Sequence, residues 1–185
     1  MSLHIVTGCM FSGKASELLR RFRLCEDTKL VVNHVIDTRY DECGRVTSHD
    51  SHSEDSFAVA TLNKLRSSSS YQTVSHIFID EGQFFDDLLE EVIAMVDGEN
   101  KHVTVAGLNG DFARCTFGKL HELLPHADSI TLLKARCVRC EKSAMFTHKV
   151  KQGGEKIHVS VLDYIPLCRN HYLNESANTM LSQKV

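Results

Sequence analysis

From Leu3 to Gly8 the chain is apolar and β-branched and stops at a glycine, and from Lys14 to Cys25 it places Leu18, Leu19 and Phe22 at helical spacing. That pattern predicts strand, turn and helix. Further β-branched runs cover Leu30 to Ile36, His76 to Asp80 and His102 to Gly107, with an amphipathic helix expected between the last two, from about Asp86 to Asp97. Strands alternating with helices predict an α/β fold in which a parallel sheet is covered by helices on both faces. Two stretches stand outside the pattern: Tyr40 to Phe57, rich in Asp, Ser and His, and the serine run Ser67 to Ser70. Both read as solvated loop. From Arg136 onward short strands bracketed by cysteines take over, predicting a small subdomain pinned by a metal.

With 185 residues, 42 % of them hydrophobic, the chain can bury one sizeable core and carry a small appendage. A net charge of −3 with mixed signs provides no field to attract nucleic acid or an anionic bilayer, so neither is expected as a partner. A local basic cleft for a small anion remains compatible with it. The segment Met1 to Gly8 has no basic leader, and no apolar run approaches the ~20 residues of a spanning helix, so a cytoplasmic location is expected. Of seven cysteines, Cys137, Cys140 and Cys168 are spaced for a metal, and Cys9, Cys25, Cys43 and Cys115 read as reduced thiols.

Gly8-Cys9-Met10-Phe11-Ser12-Gly13-Lys14 follows a strand and opens a helix, where backbone N–H groups and the helix N-terminus can wrap nucleotide phosphates. Lys14 would lie against the β- and γ-phosphates. The standard phosphate loop continues with a Ser or Thr that ligates Mg²⁺, and here the position is Ala15. Ser16 is rotated by about 100° on the helix and does not simply replace it. His76 to Asp80 is an apolar strand ending in an acid, as a carboxylate holding Mg²⁺ requires, and Glu81 follows at the strand's carboxyl end. Read without the phosphate loop, these acids are a helix cap and a solvated carboxylate. Cys-x-x-Cys at 137 and 140 with Cys-x-x-His at 168 and 171 supplies the ligands of a closed tetrahedral Zn²⁺ site, structural because no position is left for water.

The phosphate-loop block, Asp37-Thr38-Arg39-Tyr40, Ser48-His49-Asp50, Ile79 to Phe85, Ala106 to Phe112, Cys137 to Cys140 and Cys168 to Tyr172 together resemble the zinc-containing, cellular-type thymidine kinases in order and spacing. The resemblance implies a RecA-like phosphate-loop domain over residues 1–135, a zinc-ribbon subdomain over 136–172 carrying a lasso loop over the base, and a C-terminal tail over 173–185. It implies transfer of the γ-phosphate of ATP to the 5′-hydroxyl of thymidine, or of deoxyuridine, in deoxynucleotide salvage, with catalytic Mg²⁺, structural Zn²⁺, a homotetramer and feedback by the end-product triphosphate. Carried over by position, Glu81 is the general base. The cofactor-binding residues are Gly8, Met10, Phe11, Ser12, Gly13, Lys14, Ala15, Ser16, Asp37, Arg39, Asp80 and Gln83. Met10, Phe84, Leu108, Phe112, Phe117, Thr147 and Tyr164 surround the nucleoside, and Cys137, Cys140, Cys168 and His171 hold the zinc.

The chain departs from the family near the site: Cys9 stands for proline, Ala15 for the magnesium ligand, Asn33 for lysine and Asn109 for aspartate. Val159 to Asp163 replaces an Ile-Gly-Gly stretch before Tyr164. Two readings therefore stand: an active kinase, favoured by Lys14, Asp80, Glu81 and Arg39, and a degenerate member serving as structural or regulatory partner of a related subunit, favoured by Ala15 and the lasso. A zinc-ribbon nucleic-acid binder is disfavoured by the acidic balance.

Overall fold

The computed structural model describes residues 1–36, 45–47, 53–150 and 163–182. Its centre is a six-stranded sheet of β1 (Ser2–Gly8), β2 (Lys29–His34), β5 (Phe57–Val59), β6 (His76–Ile79), β7 (His102–Leu108) and β8 (Ser129–Leu133), in the order β5-β2-β6-β7-β1-β8. Every neighbouring pair is parallel. The carboxyl ends consequently share one edge: Gly8 lies opposite Leu108 and Leu133, and Ile79 opposite Val32 and Val105.

Alternation along the strands divides the core between two faces. Val6, Val31, Phe78 and Ala106 pack against Leu18 and Leu19 of α1 (Lys14–Leu24). On the other face Leu3, Ile5, Val32, Ile77, Ile79, Val103 and Val105 pack beneath α2 (Leu62–Arg66), α3 (Ser69–Gln72) and α4 (Leu88–Ile93). This is the expected α/β arrangement, with helices on both faces of a parallel sheet.

Three local expectations are corrected. The serine run is not loop throughout, because Ser69–Gln72 is helical: Ser68 Oγ caps it by accepting from the Tyr71 N–H at 3.3 Å, and Tyr71 is fully buried. Serines that look solvated by composition are here a cap and a first turn. Within 40–57, β3 (Arg45–Thr47) and β4 (Ser53–Asp55) pair as an antiparallel hairpin and β5 forms an edge of the main sheet. The helix expected to about Asp97 is α-helical only over Leu88–Ile93 and continues as a π turn, Ala94–Gly98. Its Asp87 caps the neighbouring α2 instead, accepting from the N–H groups of Leu62 and Asn63 at 3.1 and 3.0 Å. In addition, β8 and the 3₁₀ turn Leu120–His126 were not foreseen; β8 shows poorly as a pattern because Ile130 and Leu132 are half exposed at the sheet's edge.

Past the sheet come two small antiparallel pairs, β9 (Ala135–Arg136) with β10 (Ser143–Ala144) and β11 (Phe146–Lys149) with β12 (Tyr164–Leu167), followed by α5 (Arg169–Ser182). Among the described residues no helix is long and apolar enough to cross a membrane.

Candidate active site

Gly8 ends β1 at the carboxyl edge, and the next residues turn sharply before α1 begins. Phe11 and Gly13 both take left-handed backbone, at φ 63° and 83°, and Gly13 occupies the helix N-cap. Glycine adopts that conformation without the strain a Cβ imposes, which suits the tight entry to α1. Lys14 is buried and its ammonium donates to the Cys9 carbonyl at 3.0 Å, so the cation lies back across the loop. Among the described residues, Ser12 Oγ is buried without a hydrogen-bond partner. An unpartnered hydroxyl beside a lysine at a helix N-terminus fits a loop built for an oxygen-rich anion. Ala15 and Ser16 are both partly exposed in the first turn.

Beyond β6, Asp80 is buried and its Oδ1 accepts from the Glu81 N–H at 2.9 Å. Glu81 itself sits at φ 50°, ψ 43°, a left-handed conformation that a non-glycine residue adopts only when its surroundings enforce it. Gln83 holds its side chain. Its side-chain amide donates to the Glu81 carboxylate and its Oε1 accepts from the Leu108 N–H at 3.0 Å. Gln83 is 3 % exposed, and the chain crosses its backbone at Gly118, where a Cβ would stand 2.1 Å from the Gln83 carbonyl oxygen. Gln83 was expected to touch the cofactor; in this conformation its amide joins the Glu81 carboxylate to β7, the strand beside Gly8.

The expected nucleoside residues form two aromatic pairs, Phe84 edge-on to Phe117 with centroids 5.6 Å apart and Phe112 with Tyr164 at 6.2 Å. Burial, reinforced by the charges of Asp163 and Asp111, pushes the Tyr164 phenol up. Thr147 is buried, and its Oγ1 accepts from the Met10 N–H at 3.1 Å, which ties β11 to the phosphate loop. Leu108 closes β7 opposite Gly8. Asp37, Arg39 and the lasso positions Val159 to Leu162 lie outside the described residues.

The sulfurs of Cys137, Cys140 and Cys168 and the ring of His171 gather within 4.8 Å of one another. His171 Nδ1 is 3.2 Å from the Cys168 sulfur and 3.7 Å from that of Cys137, and the Cys140 and Cys168 sulfurs are 3.7 Å apart. Burial works against the Cys137 thiolate, but hydrogen bonds from the N–H groups of Cys168 and Arg139 and from the thiols of Cys140 and Cys168 together outweigh it, and the thiol lies below its ordinary range. Three such sulfurs and one imidazole could hold a metal ion.

A family profile described as thymidine kinase matches residues 1–172. The chain belongs to the thymidine kinase family. It is 37 % identical over 179 residues to a thymidine kinase of fowlpox virus, covering 94 % of this chain and 97 % of that protein. To a thymidine kinase of Porphyromonas gingivalis it is 39 % identical over 176 residues, 92 % of this chain and 84 % of the relative. The rice thymidine kinase is 36 % identical over 180 residues, 93 % of this chain, which spans 66 % of the rice protein.

Three departures from the thymidine kinase pattern have local partners. Cys9 is fully buried, its thiol pushed up by burial, and it donates to the Ala144 carbonyl at 3.5 Å while packing in one cluster with Cys137 and Cys168. Asn109 Nδ2 donates to the Met145 carbonyl at 3.2 Å, a bond that an aspartate could not make. Asn33, also buried, accepts from Ser56 Oγ at 3.1 Å. Sequence reasoning missed that the phosphate loop rests on β10 and β11, since its links join residues 135 and 137 positions apart.

Thr147→Val keeps the shape of the side chain and deletes the acceptor for the Met10 N–H. We expect a stability loss of about 1 kcal/mol, with weaker ATP-analogue binding in calorimetry. Unchanged ATP affinity would show that β11 does not support the loop.

Proposed function

We propose that this chain transfers the γ-phosphate of ATP to the 5′-hydroxyl of thymidine, with deoxyuridine as the nearest alternative acceptor. Family membership supports the reaction class, and the observation that carries the reading is the Glu81 carboxylate, buttressed by Gln83 through a bond to the strand that flanks the phosphate loop. A fixed carboxylate at the carboxyl edge of a parallel sheet is placed to act on a ligand bound there.

In this reading Glu81 accepts the proton of the 5′-hydroxyl as that oxygen attacks the γ-phosphorus. Lys14 leaves the Cys9 carbonyl to hold the phosphates against the loop's N–H groups, and Arg39 and Asp37 assist, as the resemblance implies. The Ser12 hydroxyl supplies a further donor. Phe84, Phe117, Phe112 and Tyr164 enclose the nucleoside and exclude water. Gln83 is a positioning residue that holds Glu81. Mg²⁺, when bound, neutralises developing phosphate charge, and buried Asp80 is the carboxylate suited to hold it. Zn²⁺ fits the Cys137, Cys140, Cys168 and His171 donor set, where it would brace residues 136–172 as a subdomain against the nucleotide-binding unit of 1–135. We extend the reading to a cytoplasmic homotetramer; the half-exposed Ile130 and Leu132 on edge strand β8 supply apolar surface consistent with self-association.

Glu81→Gln is expected to lower turnover of thymidine by a factor of about 10² to 10⁴ with ATP affinity nearly unchanged, because the amide cannot accept the proton. Parental turnover in this variant would remove Glu81 as the base. Ala15→Ser adds one oxygen in the first turn of α1, where the standard loop ligates the metal. We expect higher turnover and a lower half-saturating Mg²⁺ concentration in a magnesium titration at saturating ATP and thymidine. An unchanged Mg²⁺ dependence would mean that the metal is held without this position.

A further inference from the structure

At the amino edge of the sheet, opposite the phosphate loop, the end of α1 meets the start of β6. Cys25 follows α1 directly; its N–H is bonded to the carbonyls of Arg21 and Phe22 at 3.1 and 3.3 Å, and its carbonyl accepts from Lys29 Nζ at 2.6 Å. The backbone bearing the thiol is therefore anchored from both sides. His76 opens β6, and its ring stacks on that of its register partner His102, with centroids 4.3 Å apart and planes 6° from parallel. His102 is held in turn by Ser2 Oγ at 2.8 Å and the Met1 amine at 3.2 Å. This stack fixes the plane of the His76 imidazole. Its Nδ1 lies 3.1 Å from Ser75 Oγ and 3.7 Å from the Asp27 carboxylate.

A sulfur of Cys25, a carboxylate oxygen of Asp27 and a ring nitrogen of His76 all fall within 4.8 Å of one another. Among the described residues this is the sole group of potential metal ligands besides Cys137, Cys140, Cys168 and His171. None of its members takes part in the proposed phosphotransfer, which is confined to the opposite edge.

We propose that Cys25, Asp27 and His76 form a second metal site, specific for a borderline divalent transition metal of which Zn²⁺ is the reference. One thiolate, one imidazole and one carboxylate are the mixed donors that such an ion accepts, whereas Mg²⁺ and Ca²⁺ favour oxygen alone. Bond lengths of about 2.3 Å to sulfur and about 2.0–2.1 Å to nitrogen and oxygen draw tetrahedral ligands to within roughly 3.5 Å of each other. The observed spacing must therefore contract. Asp27, its side chain 71 % exposed and its oxygen already 3.7 Å from His76 Nδ1, can move to help close it, and the Cys25 side chain turns toward the fixed His76 ring to complete it. Three protein ligands leave the fourth position to water, and ordering Asp27 carries an entropic cost, so this site is weaker than the four-ligand cluster. An ion here clamps the end of the helix that begins at Lys14 to the start of the strand that leads into Asp80 and Glu81.

The test is chelator-competition titration of the full chain with Zn²⁺, repeated with Co²⁺ to register thiolate coordination by absorbance, on the parent and on Cys25→Ser, Asp27→Asn and Cys140→Ser. We expect one ion whose affinity falls at least about tenfold in Cys25→Ser and in Asp27→Asn, since even indirect supports of metal ligands are worth that much. Cys140→Ser should retain this ion. Its Co²⁺ thiolate band should vanish in Cys25→Ser and persist in Asp27→Asn at saturating metal. Asp27→Asn changes an exposed side chain, and a parental melting temperature without added metal confirms that a lost ion is not lost folding. If every ion bound by the parent is bound with equal affinity by Asp27→Asn and Cys25→Ser, the site does not exist.

Discussion

All five neighbouring pairings in the central sheet are parallel, and a parallel sheet has a carboxyl edge and an amino edge that are chemically different. The register leaves little choice about what meets at the carboxyl edge. Gly8 is set against Leu108, and Ile79 against Val105 three positions earlier on the same strand, so the loop after β1 and the acids after β6 flank one strand, β7. The Gln83 amide uses the last N–H of that strand to hold Glu81. Parallel pairing, enforced by residues buried on both faces, thus sets the chemistry as well as the core.

The phosphate loop has a second support. Cys9 and Met10 bond to Ala144 and Thr147, Asn109 bonds to Met145, and Cys9 shares an apolar cluster with two of the four zinc-type ligands. The short strands β10 to β12 therefore contact the loop after β1 as well as carrying Tyr164 toward Phe112. In that setting Cys9 and Asn109 are accommodated substitutions: each supplies a donor to a carbonyl of the facing segment. The Ala15 side chain carries no donor or acceptor, and it remains the departure that bears most directly on metal handling.

What was legible in the chain is what is encoded locally. The strand, phosphate loop and α1 follow from a β-branched run, Gly13 and the Leu18–Leu19–Phe22 face, and the Cys-x-x-Cys and Cys-x-x-His spacings put four ligands in one place as expected. Features decided by distant partners were not legible. Ser68 became a cap because Tyr71 found a buried site, and Asp87 left its own helix to cap α2. Thr147 resembles a nucleoside contact in sequence, while its hydroxyl in the fold accepts from Met10, 137 positions away. Gln83 likewise carries no signal of its link to Leu108, since a polar residue after a strand reads as ligand-facing until the strand beside it is known. The amino-edge group of Cys25, Asp27 and His76 is hidden for the same reason, its members being joined only when α1 and β6 pack.

In the proposed reading, the carboxyl edge forms a working phosphotransfer site despite Ala15. It is tested most directly by incubating the purified, zinc-replete chain with γ-labelled ATP, Mg²⁺ and a panel of nucleosides and measuring label in the 5′-monophosphates. Transfer to thymidine is expected, with deoxyuridine the next best acceptor and ribonucleosides poor ones. A chain that binds ATP yet labels no nucleoside would contradict it and leave the structural or regulatory reading in its place.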